Sequence, residues 1–337
     1  LGHPVCIATV VRLSLRYGRL AQLEEGYGIP LEPLEKLVAQ HYSDDPATCF
    51  SCKDIGDRDP VLLARMQKAI AIIQFKLEGQ LISRNPHFNL ISRDILSTIT
   101  PDRRFARIAG KEYPLQDTAF PTLDSQDPLR LCPAEESCVT ALTESFTSSP
   151  TLWRHMTYLA RKGSMALIRD HALIFHGCIP CDSEGEFLEF EINGARRRGR
   201  DLFEAIEVAV QRAFQTKATA DLDLLWYLWC GPLSPLFGKD KIATFESYLI
   251  SDEDPRHEVK NPYFSLIHEV SFCEKVLREF GVDPARGIIV NGHVPVKIEQ
   301  GESPVKRGRK AVTIDGAFSE AYGDKGYTLV LQPERTY

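Results

Sequence analysis

Two histidines stand in the same setting. Phe175-His176-Gly177 follows the apolar run Ala172 to Ile174, and Asn291-Gly292-His293 follows the run Ile288 to Val290. Each spacing puts an imidazole just past the end of a buried strand, beside a glycine. The strand fixes the backbone and the glycine admits a tight loop. A neutral imidazole in that position suits Zn, Mn or Fe. The alternative for each is a strand end capped through hydrogen bonds. Two imidazoles do not complete a metal site, so further ligands must come from elsewhere. Asp315 ends a third run, Lys310 to Ile314, and is a candidate carboxylate. Asp182, in Asp182-Ser183-Glu184-Gly185, reads as a turn residue.

Other chemistry-bearing groups point less sharply. Cys49-x-x-Cys52 and Cys178-x-x-Cys181 have zinc-like internal spacing but lie far apart, which favours packed thiols. Gly56-Asp57-Arg58-Asp59 reads as a loop and a helix cap. Arg196-Arg197-Arg198 with Arg200, and Lys306, Arg307, Arg309 and Lys310, form two basic clusters that read as solvated turns. Lys239, beside Gly238, and Lys297, four residues after His293, are single cations placed to meet a phosphate. No phosphate-cradling glycine loop, dinucleotide fingerprint or Gly-x-Ser-x-Gly elbow occurs.

The elements around these groups follow from periodicity. Helices are predicted over Val5 to Arg16, Leu31 to Tyr42 and Pro60 to Glu78, the last capped by Asp59 with Pro60 in its first turn and stopped by Gly79. Leu62, Met66, Ile70, Ile73 and Leu77 give that helix one apolar face. Short strands, loops and one helix, Pro133 to Thr147, are expected up to Pro150. After Ser164 the texture changes. Met165 to Ile168 and Ala172 to Phe175 read as paired strands. Asp201 to Phe214, with Asp201 and Glu204 at capping-box spacing, and Ser265 to Phe280 read as helices. Gly287 to Val290, Lys310 to Ile314 and Tyr327 to Val330 read as buried strands. A boundary is expected near Gly163.

With 337 residues the chain has room for about two domains. An apolar fraction of 43% and a net charge of −6 exclude a disordered chain and give no sign of nucleic-acid affinity. Nine cysteines are too few for a disulfide scaffold, so reduced thiols and a cytoplasmic location are expected. No segment is apolar enough to span a membrane.

A set of ordered segments resembles the class III fructose-1,6-bisphosphatases, bacterial enzymes built on the calcineurin-like metallophosphatase fold. It runs through Lys68-Ala69-Ile70-Ala71, Arg154-His155-Met156, Lys162-Gly163-Ser164-Met165 and His176-Gly177-Cys178-Ile179-Pro180. It continues through Trp226-Tyr227-Leu228-Trp229, Leu236-Phe237-Gly238-Lys239 and Lys260-Asn261-Pro262-Tyr263. It closes with Asn291-Gly292-His293-Val294-Pro295-Val296-Lys297 and Asp315-Gly316-Ala317-Phe318-Ser319-Glu320-Ala321-Tyr322.

The resemblance implies an α/β (α+β) chain. Residues 1–163 would be a large, mainly helical insertion. Residues 164–337 would be the later half of a metallophosphatase β-sandwich flanked by helices. It implies two-metal, typically manganese-dependent hydrolysis of fructose 1,6-bisphosphate in gluconeogenesis. His176 would be the family's lone strand-end ligand and His293 its Gly-His ligand. Lys239, Tyr263 and Lys297 are placed to contact a sugar bisphosphate, and a homo-oligomer is allowed for. Two departures stand out. Pro295 occupies the place of a histidine in the wider superfamily's Gly-His-x-His. The early motifs that carry most of the metal site are absent, so truncation at both ends is expected. On that reading the parent protein is the phosphatase and this chain alone is inactive. The alternative is a truncated, non-catalytic relative with a binding or regulatory role.

Overall fold

The computed structural model describes residues 2–53, 56–297, 300–315 and 327–332. The chain has a mixed helix and strand architecture in two compact units. One consists of Leu1–Arg161 with Ala243–His257, the other of Lys162–Ile242 with Glu258–Tyr337. The break after Arg161 lies beside the expected boundary, but the sequence division placed residues 243–257 in the later half. Their side chains explain the difference. Phe245, Tyr248, Leu249 and Ile250 are buried in the core of the first unit, with Ile72 and Phe75.

The first unit is mainly helical: α1 (Pro4–Arg16), α2 (Glu32–His41), α3 (Pro60–Arg84), α4 (Pro133–Ser148), α5 (Pro150–Lys162), α8 (Thr244–Leu249) and one hairpin, β1 (Phe105–Ile108) with β2 (Lys111–Pro114). The Asp59 carboxylate accepts the Val61 N–H at 2.9 Å, and Pro60 needs no partner for an N–H it lacks. α3 then runs past the expected stop at Gly79 to Arg84. A Cβ at Gly79 would fall 2.4 Å from Leu129 Cδ2, so this glycine makes room for a neighbour instead of ending the helix. α3 is buried on nearly all sides, polar residues included. Lys68 bonds Asp45 at 2.6 Å and Asp117 at 2.7 Å. Lys76 bonds Glu135 and the Thr122 carbonyl, each at 2.7 Å. Arg12 bonds Gln74 at 2.7 Å. The single apolar face read from the sequence understates this helix.

The second unit holds a four-stranded sheet in the order β3 (Ala166–Arg169), β4 (Ala172–Phe175), β7 (Ile288–Asn291), β8 (Ala311–Thr313). β3 pairs antiparallel with β4, whereas β4, β7 and β8 are parallel. A separate hairpin, β5 (Phe190–Ile192) with β6 (Ala195–Arg197), takes up part of the Arg196–Arg200 cluster. Among the described residues this hairpin is the unit's second sheet, beside the four-stranded one, in keeping with the expected mixed α/β (α+β) class. Helices α6 (Gly199–Thr216), α7 (Thr219–Cys230), α9 (Tyr263–Leu266) and α10 (Val270–Glu279) complete the unit.

Three local expectations change. Asp201 is not the cap of α6: the N-cap is Arg198, and Glu279 accepts the Arg200 N–H at 3.0 Å. The predicted helix from Ser265 breaks at His268, and Gly281, at φ +76°, ends its second part. Residues 327–330 form no strand. The Gly316–Tyr322 part of the last motif lies outside the described residues. No helix among the described residues is long and apolar enough to cross a membrane.

Candidate metal and phosphate site

Parallel pairing brings the carboxyl ends of β4, β7 and β8 to one edge of the sheet. His176 follows β4, His293 follows β7 and Asp315 follows β8. The two rings meet there, His176 Nε2 lying 3.1 Å from His293 Nδ1. The sequence placed each histidine at a strand end; the pairing order makes them neighbours.

Asn291 ties this edge together. Its buried amide donates to the Gly177 carbonyl at 3.0 Å, and its side-chain oxygen accepts the Thr313 hydroxyl at 2.8 Å. One side chain therefore links the residue after His176, the strand before His293 and the strand before Asp315. Gly292 N–H donates to the His176 carbonyl at 2.8 Å. The two glycines differ in purpose. A Cβ at Gly177 would fall 2.5 Å from the Pro235 carbonyl oxygen, so Gly177 admits the backbone of the 231–238 loop. At Gly292 the nearest atoms lie at ordinary contact distance. His293 itself holds φ at +68°, a conformation that a residue with a Cβ adopts only where its surroundings impose it.

Both imidazoles are poised to be neutral. Burial lowers the His176 pKa, opposed by the Asp315 carboxylate. For His293, burial acts first, then the His176 ring and the Lys239 ammonium, opposed by a hydrogen bond to the Phe237 backbone and by Asp315. Neutral imidazole is the metal-binding form. A backbone partner for the second ring nitrogen is the usual device that sets a ligand's orientation.

The donor set fits a divalent cation in part. Two nitrogens at right angles, each about 2.1 Å from one cation, stand about 3 Å apart, close to the observed spacing. Asp315 is near enough to act on both rings. Among the described residues no group of three or more His, Cys, Asp or Glu is disposed to hold a metal ion. These residues therefore match part of the expected two-cation set.

The other named residues separate. Lys239 bears on His293 and is held by Glu258 at 2.8 Å. Lys297 is exposed, and its backbone N–H closes a turn onto Glu302 at 2.9 Å. Tyr263 corrects the sequence reading. It is 0% exposed, enclosed by Phe175, Phe264 and Phe272, and its hydroxyl has no hydrogen-bond partner among the described residues. A ring sealed in the core cannot touch a substrate, so Tyr263 is a packing residue. Asp182 accepts the Glu184 and Glu186 N–H groups and shapes a turn. Cys178 and Cys181 are buried, with their thiols directed at the Ser234 carbonyl and the Asn261 side chain. The sequence reading missed Asn291. A polar residue closing the run Ile288-Ile289-Val290 is the one local signal that could have found it.

Comparison with known proteins places these features in a family. A family model described as Firmicute fructose-1,6-bisphosphatase matches residues 1–336. Proteins named fructose-1,6-bisphosphatase class 3 are similar over 98% of this chain. The one from Fusobacterium nucleatum is 43% identical, that from Lacticaseibacillus casei 42% and that from Clostridium acetobutylicum 40%. The chain spans about half the length of these relatives, 52%, 53% and 52% respectively. No solved structure matches.

Proposed function

Because this chain belongs to the Firmicute fructose-1,6-bisphosphatase family, we propose that it serves the metal-dependent hydrolysis of fructose 1,6-bisphosphate to fructose 6-phosphate and phosphate. The observation that carries this reading is the meeting of His176 and His293 at 3.1 Å, at the carboxyl ends of parallel strands. Phosphomonoester hydrolysis needs positive charge where the phosphate oxygens gather charge, and a nucleophile derived from water. A bound divalent cation, Mn²⁺ on this reading, supplies both.

The chain's own groups have separable parts in that scheme. His176 and His293 would hold a cation through Nε2 and Nδ1, with Asp315 as the adjacent carboxylate. Asn291 keeps the three strand ends in register, and the Phe237 backbone orients the His293 ring. Lys239 offers an ammonium to the phosphate beside the cation, and Glu258 keeps that ammonium in place. Lys297 stays a candidate only for contacts made from the exposed turn. Free thiols fit a reducing, cytoplasmic setting.

The test is phosphate release from fructose 1,6-bisphosphate in the presence of Mn²⁺, with His293→Ala alongside. The reading expects release by the protein, abolished by chelation and by the substitution. Folded protein that releases no phosphate would overturn it and favour a binding role.

A further inference from the structure

A bisphosphorylated sugar brings two phosphates, and the histidine pair accounts for one. A second group of cations lies on the same unit. Segments 238–240 and 259–261 form a short antiparallel ladder: Lys239 pairs with Lys260, Asn261 N–H donates to the Gly238 carbonyl at 2.9 Å, and Asp240 N–H donates to the Val259 carbonyl at 2.9 Å. Residues directly opposite in such a ladder project from the same face, about 5 Å apart at Cβ. Lys239 and Lys260 therefore stand side by side, an arrangement that is unfavourable for two like charges. Glu258, two residues before Lys260 and on the same face, bonds Lys239. Among the described residues, Lys260 makes no ion pair or hydrogen bond through its ammonium.

A third cation, Lys306, acts on Lys260. Residues 304–306 run antiparallel to β8: Val305 pairs with Val312, and Lys306 N–H donates to the Ala311 carbonyl at 2.9 Å. Burial lowers the Lys306 pKa, and so does Lys260, while Glu302 opposes them. The Lys306 ammonium makes no ion pair or hydrogen bond among the described residues, and Glu302 Oε2 accepts the Lys297 N–H instead. Cations left together without matching carboxylates reduce stability unless an anion neutralises them. Ala311, opposite Lys306, is four residues from Asp315, about 13 Å of extended chain.

We propose that Lys260 and Lys306 bind the second, unreacted phosphate of the sugar bisphosphate, with Lys239 lying between them and the histidine pair. The assignment rests on the substrate class proposed above, and it concerns residues that reaction does not itself require. It explains a basic turn that the sequence alone presents as solvated.

Fructose 6-phosphate separates the two claims, because it keeps the unreacted phosphate and lacks the reacting one. Calorimetric titration of fructose 6-phosphate into the protein and into K260Q/K306Q reads this subsite without any hydrolysis. The expected result is saturable binding by the wild type, weakened at least about tenfold in the double variant. Equal affinities, or no binding by the wild type, would overturn the subsite. Thermal unfolding of the variant checks that it is folded; K306Q alone, expected to weaken binding severalfold, serves if the double variant is not. Lysine-dependent binding of fructose 6-phosphate, combined with no hydrolysis of the bisphosphate, would keep the subsite and remove the proposed activity.

Discussion

Two sets of lysines, one in each unit, stand in opposite surroundings. In the helical unit two lysines on α3 are sealed in. Lys68 and Lys76 are 0% exposed, and each meets carboxylate at hydrogen-bond distance. In the sheet unit, Lys239, Lys260 and Lys306 are partly or wholly exposed, and of these three only Lys239 has a bonded carboxylate among the described residues. Buried pairs hold a fold in one arrangement, because removing one partner leaves a desolvated charge behind. Exposed, under-neutralised cations contribute little to folding and keep their field for a ligand. The contrast separates lysines that serve the fold from lysines free to serve the proposed site.

Substitutions can break or sharpen that contrast. The largest effect is expected in the helical unit. Lys76→Met leaves Glu135 buried without its cation and should lower unfolding stability by about 3–5 kcal/mol in urea titration. A loss below about 1 kcal/mol would show that the pair is not structural. Next come the two site glycines. Gly177→Ala drives a Cβ toward the Pro235 carbonyl oxygen and should cost about 1–3 kcal/mol. Gly292→Ala meets only ordinary contacts and should stay within about 1 kcal/mol of the wild type. Equal effects in thermal melts would mean that the 231–238 loop yields. The smallest effect is expected at Lys239. Lys239→Gln removes a partly exposed ion pair and should change stability by less than about 1 kcal/mol. A larger loss would move Lys239 from the ligand-facing set into the structural one.

Much of the fold was legible where the cause is local. Asp59 and Pro60 mark the start of α3 because a cap acts within one turn. The strand-end histidines stood out because an apolar run, a glycine and an imidazole are neighbours in sequence. What escaped the sequence depends on partners far along the chain. Gly79 looked like a stop because Leu129, the side chain it accommodates, is fifty residues away. Tyr263 looked available because nothing in its own segment shows that Phe175 and Phe272 enclose it. Lys68 and Lys76 lie off the one apolar face read from the sequence, and the carboxylates that meet them, Asp45, Asp117 and Glu135, are remote along the chain. The Lys239–Lys260 pairing likewise exists only through a ladder between distant segments.

The proposed activity depends most on the histidine pair acting as a cation-binding arm. Calorimetric titration of Mn²⁺ into the protein, His176→Ala and His293→Ala tests it directly. The predicted result is saturable binding by the wild type, weakened at least about tenfold by either substitution. Affinities that are the same in all three proteins would contradict it.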